Sequence, residues 1–170
     1  MRRVLLVDGY NIIGDWPELK ALQGSDLEGA RDLLIQYMAE YQAYTGIEVT
    51  VIFDAHMVSG LGKKLQNYAI TIIYTKEKET ADERIEKLVN DLKRIDTQIY
   101  VATSDFVEQR VIFASGAYRK SARELRTEMK QIEKGIEKEV SKTKKSKIKT
   151  KLPITDEMAE VFEKWRRGKR

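Results

Sequence analysis

The chain is predicted to fold as an α/β protein, with a mostly parallel central sheet and helices on both faces. Three observations carry this expectation. Short, almost wholly apolar runs recur along the 170 residues, as strands buried on both sides require. Helical patterns with their own capping residues separate these runs, which is what parallel strands need for their crossovers. Aspartates stand at or just beyond the ends of the runs, where a parallel sheet gathers its ligands.

Val4–Val7 is the first apolar run, ended by the turn-forming cluster Asp8-Gly9-Tyr10-Asn11. A long helix follows from about Asp26 to Tyr44, because Leu27, Ala30, Leu34, Tyr37, Met38 and Tyr41 share a face and Gly46 ends it. Glu48–Phe53 reads as the second strand and closes at Asp54. Residues 55–67 hold Gly60, Gly62, Lys63 and Lys64 and suit a loop or short helix, and Ala69–Tyr74 reads as the third strand. Thr80-Ala81-Asp82-Glu83 has the capping-box pattern and opens a helix to about Arg94, with Ile85, Leu88, Val89 and Leu92 as its apolar stripe. Gln98–Ala102 is the fourth strand, followed by Thr103-Ser104-Asp105 and a helix to about Ala114.

Ser121-Ala122-Arg123-Glu124 is a second capping box, and it starts a charged helix reaching Val140. Residues 1–140 are expected to form one domain. Residues 141–154 read as a basic linker or arm, since 141–151 hold six lysines and no acid. Residues 155–170 read as a short helix carrying Met158, Val161, Phe162 and Trp165, expected to dock on the same domain.

Composition narrows the chemistry. An apolar share of 42% supplies a core, and a charged share of 34% an ionised surface. With no cysteine, disulfides and thiolate metal sites are excluded; with one histidine, so are a histidine zinc site and a two-histidine relay. Metal or acid–base chemistry must therefore rest on carboxylates. The start, Met1-Arg2-Arg3-Val4, resembles a signal peptide briefly, but its apolar run ends at Asp8, too short for a leader or a membrane span. A cytoplasmic protein without membrane contact is expected. From Ser141 to Arg170, 11 Lys and Arg oppose 4 Asp and Glu, a balance of +7 that leaves −3 on the rest. The basic excess is C-terminal and suits a polyanion, or else a solvated lysine-rich surface.

Asp8, Asp54 and Asp105 close three strands, and Asp82 opens the helix after the remaining one. Brought to one sheet edge, these carboxylates repel one another unless a divalent cation neutralises them. Mg²⁺ or Mn²⁺ suits such an all-oxygen site. A strand-ending Asp also caps the next helix, so each position has a purely structural reading. Asp82 is the most informative, because Thr80 and Glu83 already fill the capping roles; a favourable place at the helix dipole is its alternative.

Val7-Asp8-Gly9-Tyr10-Asn11, Phe53-Asp54-Ala55-His56, Thr80-Ala81-Asp82-Glu83 and Ala102-Thr103-Ser104-Asp105 together resemble the NYN-domain ribonucleases. More closely they resemble the bacterial YacP-like branch within the wider PIN-like nuclease group, and the closing Phe162-Glu163-Lys164-Trp165-Arg166-Arg167-Gly168 resembles that branch too. The resemblance spans essentially the whole chain. It implies a PIN-like three-layer fold and metal-dependent endonucleolytic cleavage of single-stranded RNA, with Asp8, Asn11, Asp82 and Asp105 around the metal. Asp54, Glu83 and Ser104 are second-tier positions. It further implies mRNA as substrate and the ribosome as a partner, with no small-molecule cofactor.

Beside Asp8, Asn11 would hold the carboxylate or a substrate phosphate, or else be a turn residue. Ser104 would orient Asp105 or a water, or cap the helix. Lys63, Lys64, Arg119, Lys120, Arg123, Lys144, Lys145 and Lys147 are the candidate RNA-binding cations. His56 reads as solvated rather than as a general acid, Tyr10 and Phe106 as core or base-stacking rings, and Trp165 as a docking residue. A receiver domain lacks support because Gly9 follows Asp8, and no glycine-rich phosphate loop is present. The rival reading is a non-catalytic RNA- or ribosome-binding module that keeps the fold.

Overall fold

The computed structural model describes residues 1–55 and 69–150, together with 160, 161, 164 and 166–168. In chain order its elements are β1 (Arg2–Asp8), α1 (Gly9–Asp15), α2 (Pro17–Gln23), α3 (Leu27–Thr45), β2 (Glu48–Phe53), β3 (Thr71–Tyr74), α4 (Ala81–Leu92), β4 (Thr97–Ala102), α5 (Phe106–Ala114), β5 (Tyr118–Lys120) and α6 (Ala122–Thr150). The five strands form one sheet in the order β3-β2-β1-β4-β5, with every pairing parallel. The expected α/β architecture is present.

β1 lies at the centre, and Val4 through Asp8 are all buried. Val4 and Leu6 face one side, where Ile52, Ile99 and Val101 meet Ala81, Ile85 and Val89 of α4 and Ile112 of α5. The alternate residues, Leu5 and Val7, face the other side beside Val49 and Val51. There the buried Ile12, Ile13, Leu34, Ile35 and Met38 of α1 and α3 complete a second core layer. α6 closes this layer with Leu125, Met129 and Ile132 buried, and Ala122 O accepts a 2.8 Å bond from Trp16 Nε1.

The anticipated punctuation at Gly46, Thr80 and Ser121 is realised, and Asp26 adds a cap of its own. Asp26 Oδ1 accepts from Gly29 N–H at 2.8 Å, and α3 stops at Gly46, whose φ of 72° is the left-handed value that favours glycine. Thr80 Oγ1 accepts from Glu83 N–H at 3.2 Å, and Ser121 Oγ from Glu124 N–H at 3.1 Å.

Four local expectations are corrected. Asp8-Gly9-Tyr10-Asn11 is not a free turn, because Gly9 already opens α1. α1 and α2 are two turns each, too short for a periodic signal, and they hold through the burial of Ile12, Ile13, Trp16 and Leu19. β3 begins at Thr71 rather than Ala69, and the three-residue β5 was not anticipated. α6 does not end at Val140; it runs to Thr150 through the stretch read as a linker. Residues 141–150 contain neither Gly nor Pro, and lysine is a good helix former, so charge density alone was a poor guide to a break.

The chain divides inside α6 into two compact units, Met1–Ile132 and Glu133–Arg170. In the second unit Lys142, Lys144 and Lys145 are exposed, and residues 160, 161, 164 and 166 are helical. His56, Lys63, Lys64, Phe162 and Trp165 lie outside the described residues, as does the docking contact expected of the last helix. Among the described residues no helix is long and apolar enough to cross a membrane.

Gly9 shows how tightly the sheet edge is built. A Cβ there would run into the Phe53 ring, which is fully buried and packed against Tyr10 at 5.1 Å and Tyr74 at 5.7 Å. The ring has no room to yield, so Gly9→Ala is expected to lower stability by about 1–3 kcal/mol in thermal or urea unfolding. An unchanged melting curve would show that the edge relaxes freely.

Candidate active site

Parallel pairing aligns the ends of neighbouring strands. Val7 of β1 sits opposite Ala102 of β4, so Asp8 and Thr103 emerge side by side. α4 packs across this face of the sheet and brings its first turn, with Asp82, to the same edge. α5 starts directly after β4, and its third residue, Glu108, turns inward.

Carboxylate oxygens of Asp8, Asp82 and Glu108 lie within 4.8 Å of one another. Asp8 and Glu108 are buried while Asp82 is exposed, so the group opens to solvent on one side. Burial, then the neighbouring Asp82 charge, pushes the Asp8 carboxyl up to about 6, although the Asn11 main-chain N–H donates to it and pulls the other way. Burial, reinforced by Asp8 and Asp82, pushes Glu108 up to about 9. Glu108 Oε2 accepts from Thr103 Oγ1 at 2.9 Å, whereas its Oε1 is buried without a hydrogen-bond partner among the described residues. A protein rarely leaves a buried carboxylate oxygen unanswered. Three converging acids with one orphaned oxygen fit a hard divalent cation, which prefers carboxylate ligands and removes their mutual repulsion.

The family model described as the YacP-like NYN domain matches residues 5–167. The chain belongs to this family. It is 58% identical over 165 residues to the uncharacterised protein YacP of Bacillus subtilis, covering 97% of each chain. It is also similar to the crystal structure of Rae1 (YacP) from Bacillus subtilis, with a TM-score of 0.78 and 57% identity over 97% of this chain and 95% of that one. A tryptophan-to-leucine variant of the same Bacillus protein matches with a TM-score of 0.76 and 52% identity, over 99% of this chain and 96% of the variant. The YacP-like NYN fold is a nuclease-type fold, and its acidic cluster is the feature that could hold a metal.

In this YacP-like NYN domain two of the expected acids, Asp8 and Asp82, come together, and the third member is Glu108 rather than Asp105. Asp105 instead caps α5, its Oδ1 accepting from Val107 N–H at 2.9 Å and Glu108 N–H at 3.4 Å. Its charge still reaches Asp8 and raises it further. Sequence reasoning missed Glu108. Its one signal is an acid four residues before Ile112, on the helix face that a periodic reading assigns to the core.

Asn11 holds Asp8 through its main chain rather than through its side-chain amide. Its backbone N–H serves Asp8, while its side-chain Oδ1 accepts from Ser104 N–H at 2.7 Å and Ser104 Oγ at 2.8 Å. Ser104 thus ties the segment after β4 to the first turn of α1, while Asp105 caps α5. Asp54 is half-buried, close enough to influence the Tyr10 hydroxyl, and stands outside the three-acid group, as does the exposed Glu83. Lys120, expected as an RNA contact, is engaged within the fold: its Nζ donates to Glu128 Oε1 and Oε2, both at 2.8 Å, and to Tyr41 Oη at 3.2 Å. Sequence spacing does not reveal that partner. Arg119 and Arg123 are exposed.

Proposed function

We propose that this YacP-like NYN protein is a metal-dependent endoribonuclease that cleaves single-stranded RNA, with mRNA engaged by the ribosome as its substrate. The convergence of Asp8, Asp82 and Glu108 at the open edge of a nuclease-type sheet carries the reading. These three acids would hold Mg²⁺ or Mn²⁺, with Asp105 adding negative charge beside them. A divalent ion bound there supplies polarisation of a phosphodiester and an easier ionisation of water.

The chain's own groups set the geometry. Asn11 N–H holds Asp8, Thr103 Oγ1 holds Glu108, and the Asn11–Ser104 pair ties the first turn of α1 to the segment after β4. Asp82, the exposed acid, faces the side from which a phosphate can enter. Asn11 and Ser104 act as positioning residues.

An acidic site repels a polyanion, so affinity has to come from elsewhere in the chain. The basic C-terminal segment, with Lys144, Lys145 and Lys147 in α6, supplies it alongside Arg119 and Arg123. Changing the six lysines of 142–151 to Gln is expected to flatten the salt dependence of RNA or ribosome binding markedly. An unchanged slope would assign them to solvated surface.

The reading is tested by incubating the purified protein with single-stranded RNA, and with mRNA on ribosomes, in Mg²⁺, in Mn²⁺ and in chelator. Cleavage is expected only with a divalent ion. Cleavage that survives chelation overturns the metal requirement. Binding without cleavage on both substrates makes the protein a recognition module.

A further inference from the structure

We infer that the outer face of α5 is a nucleobase platform, on which RNA leaving the acidic site stacks against Phe106 and Phe113 with its phosphate backbone on Arg110. The inference rests on the RNA-cleaving reading above. Its structural basis is the distribution of side chains around one helix.

At 100° per residue, Glu108 and Ile112 point toward the sheet, and both are buried. Phe106, Arg110 and Phe113 fall together on the far side, at positions i, i+4 and i+7. Phe106 is 69% exposed, its neighbour Val107 70% and Phe113 78%. A nine-residue helix that leaves two phenylalanines in water forgoes a large hydrophobic gain. Contiguous exposed apolar surface of this kind marks a binding face.

Two observations decide what covers it. The first is charge: the outward residues of α5 include Arg110 and no acid, because its one acidic residue, Glu108, is turned inward. A cation one turn from each of two aromatic rings is the chemistry of single-stranded nucleic acid binding, in which rings take bases and the cation takes phosphate. The second is continuity. α5 begins at the site itself, with Asp105 as its cap, so Phe106 stands at the rim and Phe113 about 10 Å farther along the axis. A strand passing Asp8, Asp82 and Glu108 leaves over this first turn. Tyr10, the other ring near the site, is committed to packing: it lies 5.1 Å from Phe53, and its hydroxyl accepts from Arg31 at 3.2 Å.

The test uses full-length protein carrying Asp82→Asn, so that RNA is bound without being cut, and a single-stranded oligoribonucleotide containing 2-aminopurine. Phe106→Leu, which keeps apolar bulk but removes the ring, is expected to weaken binding roughly tenfold and relieve 2-aminopurine quenching. Phe106→Trp is expected to restore both, and Phe113→Leu to give a smaller loss. Arg110→Gln should reduce the slope of log affinity against log salt by about one. Equal affinity for the Leu and Trp variants overturns the platform. So does unchanged RNA affinity accompanied by altered self-association, which would make the face an interface between copies. Failure of the nuclease reading is separable: it appears as absent cleavage by the unsubstituted protein, whatever the phenylalanine variants do to binding.

Discussion

Asp82→Asn and Glu108→Gln are each expected to reduce RNA cleavage by about 100-fold or more while leaving the protein folded, with Asp8→Asn equally impaired. The magnitude is that of removing one preorganised electrostatic group from a charged transition state. Glu108→Gln is the sharper variant because its effects on activity and stability have opposite signs. In metal-free protein the Glu108 carboxyl sits beside Asp8 and Asp82, buried, with Oε1 unanswered among the described residues. Near pH 8 that carboxyl must take up a proton on folding, and a neutral amide of the same shape need not, so the metal-free variant is expected to melt a few degrees higher there. Loss of cleavage with a rise in melting temperature marks a residue kept for function at the expense of the fold. Full cleavage by Glu108→Gln would remove Glu108 from the site and leave Asp105 as the third acid.

The stability of the metal-free protein is expected to fall as pH rises between about 5 and 9. Asp8 at about 6 and Glu108 at about 9 both lie above ordinary carboxyl values. The folded state therefore binds more protons than the unfolded chain across this window. Stability contributed by the two protonated carboxyls is complete below the unfolded values and is lost as pH climbs through the folded ones. A divalent cation replaces those protons, so Mn²⁺ should raise the melting temperature most at the alkaline end. Melting curves at four or five pH values, with chelator or Mn²⁺, check this. A profile that rises with pH, or one indifferent to Mn²⁺, would mean that the acids are not held together as described.

Much of this was legible before any coordinates. Capping signals at Thr80 and Ser121, together with the glycine at 46, are written within a few consecutive residues, and each is realised. Strands buried on both faces announce themselves as apolar runs, so four of the five were visible. α1, α2 and β5 were not, because two turns or three residues carry too little pattern and are held by burial supplied from elsewhere. The lysine-rich stretch misled in the other direction, since a charged segment without glycine or proline stays helical.

By itself the sequence determined the α/β class, the restriction of any metal or acid–base chemistry to carboxylates, and the places of Asp8 and Asp82 at one sheet edge. Only tertiary structure decided which third acid joins them, that Asn11 meets Ser104 across 93 residues, and that Lys120 is spent on Glu128. The division has a physical cause. Helix caps and strand patterns are local energies, fixed by neighbours along the chain. Which side chains share a pocket depends on strand register and on the rotation of each packed helix, and those are set by the core as a whole.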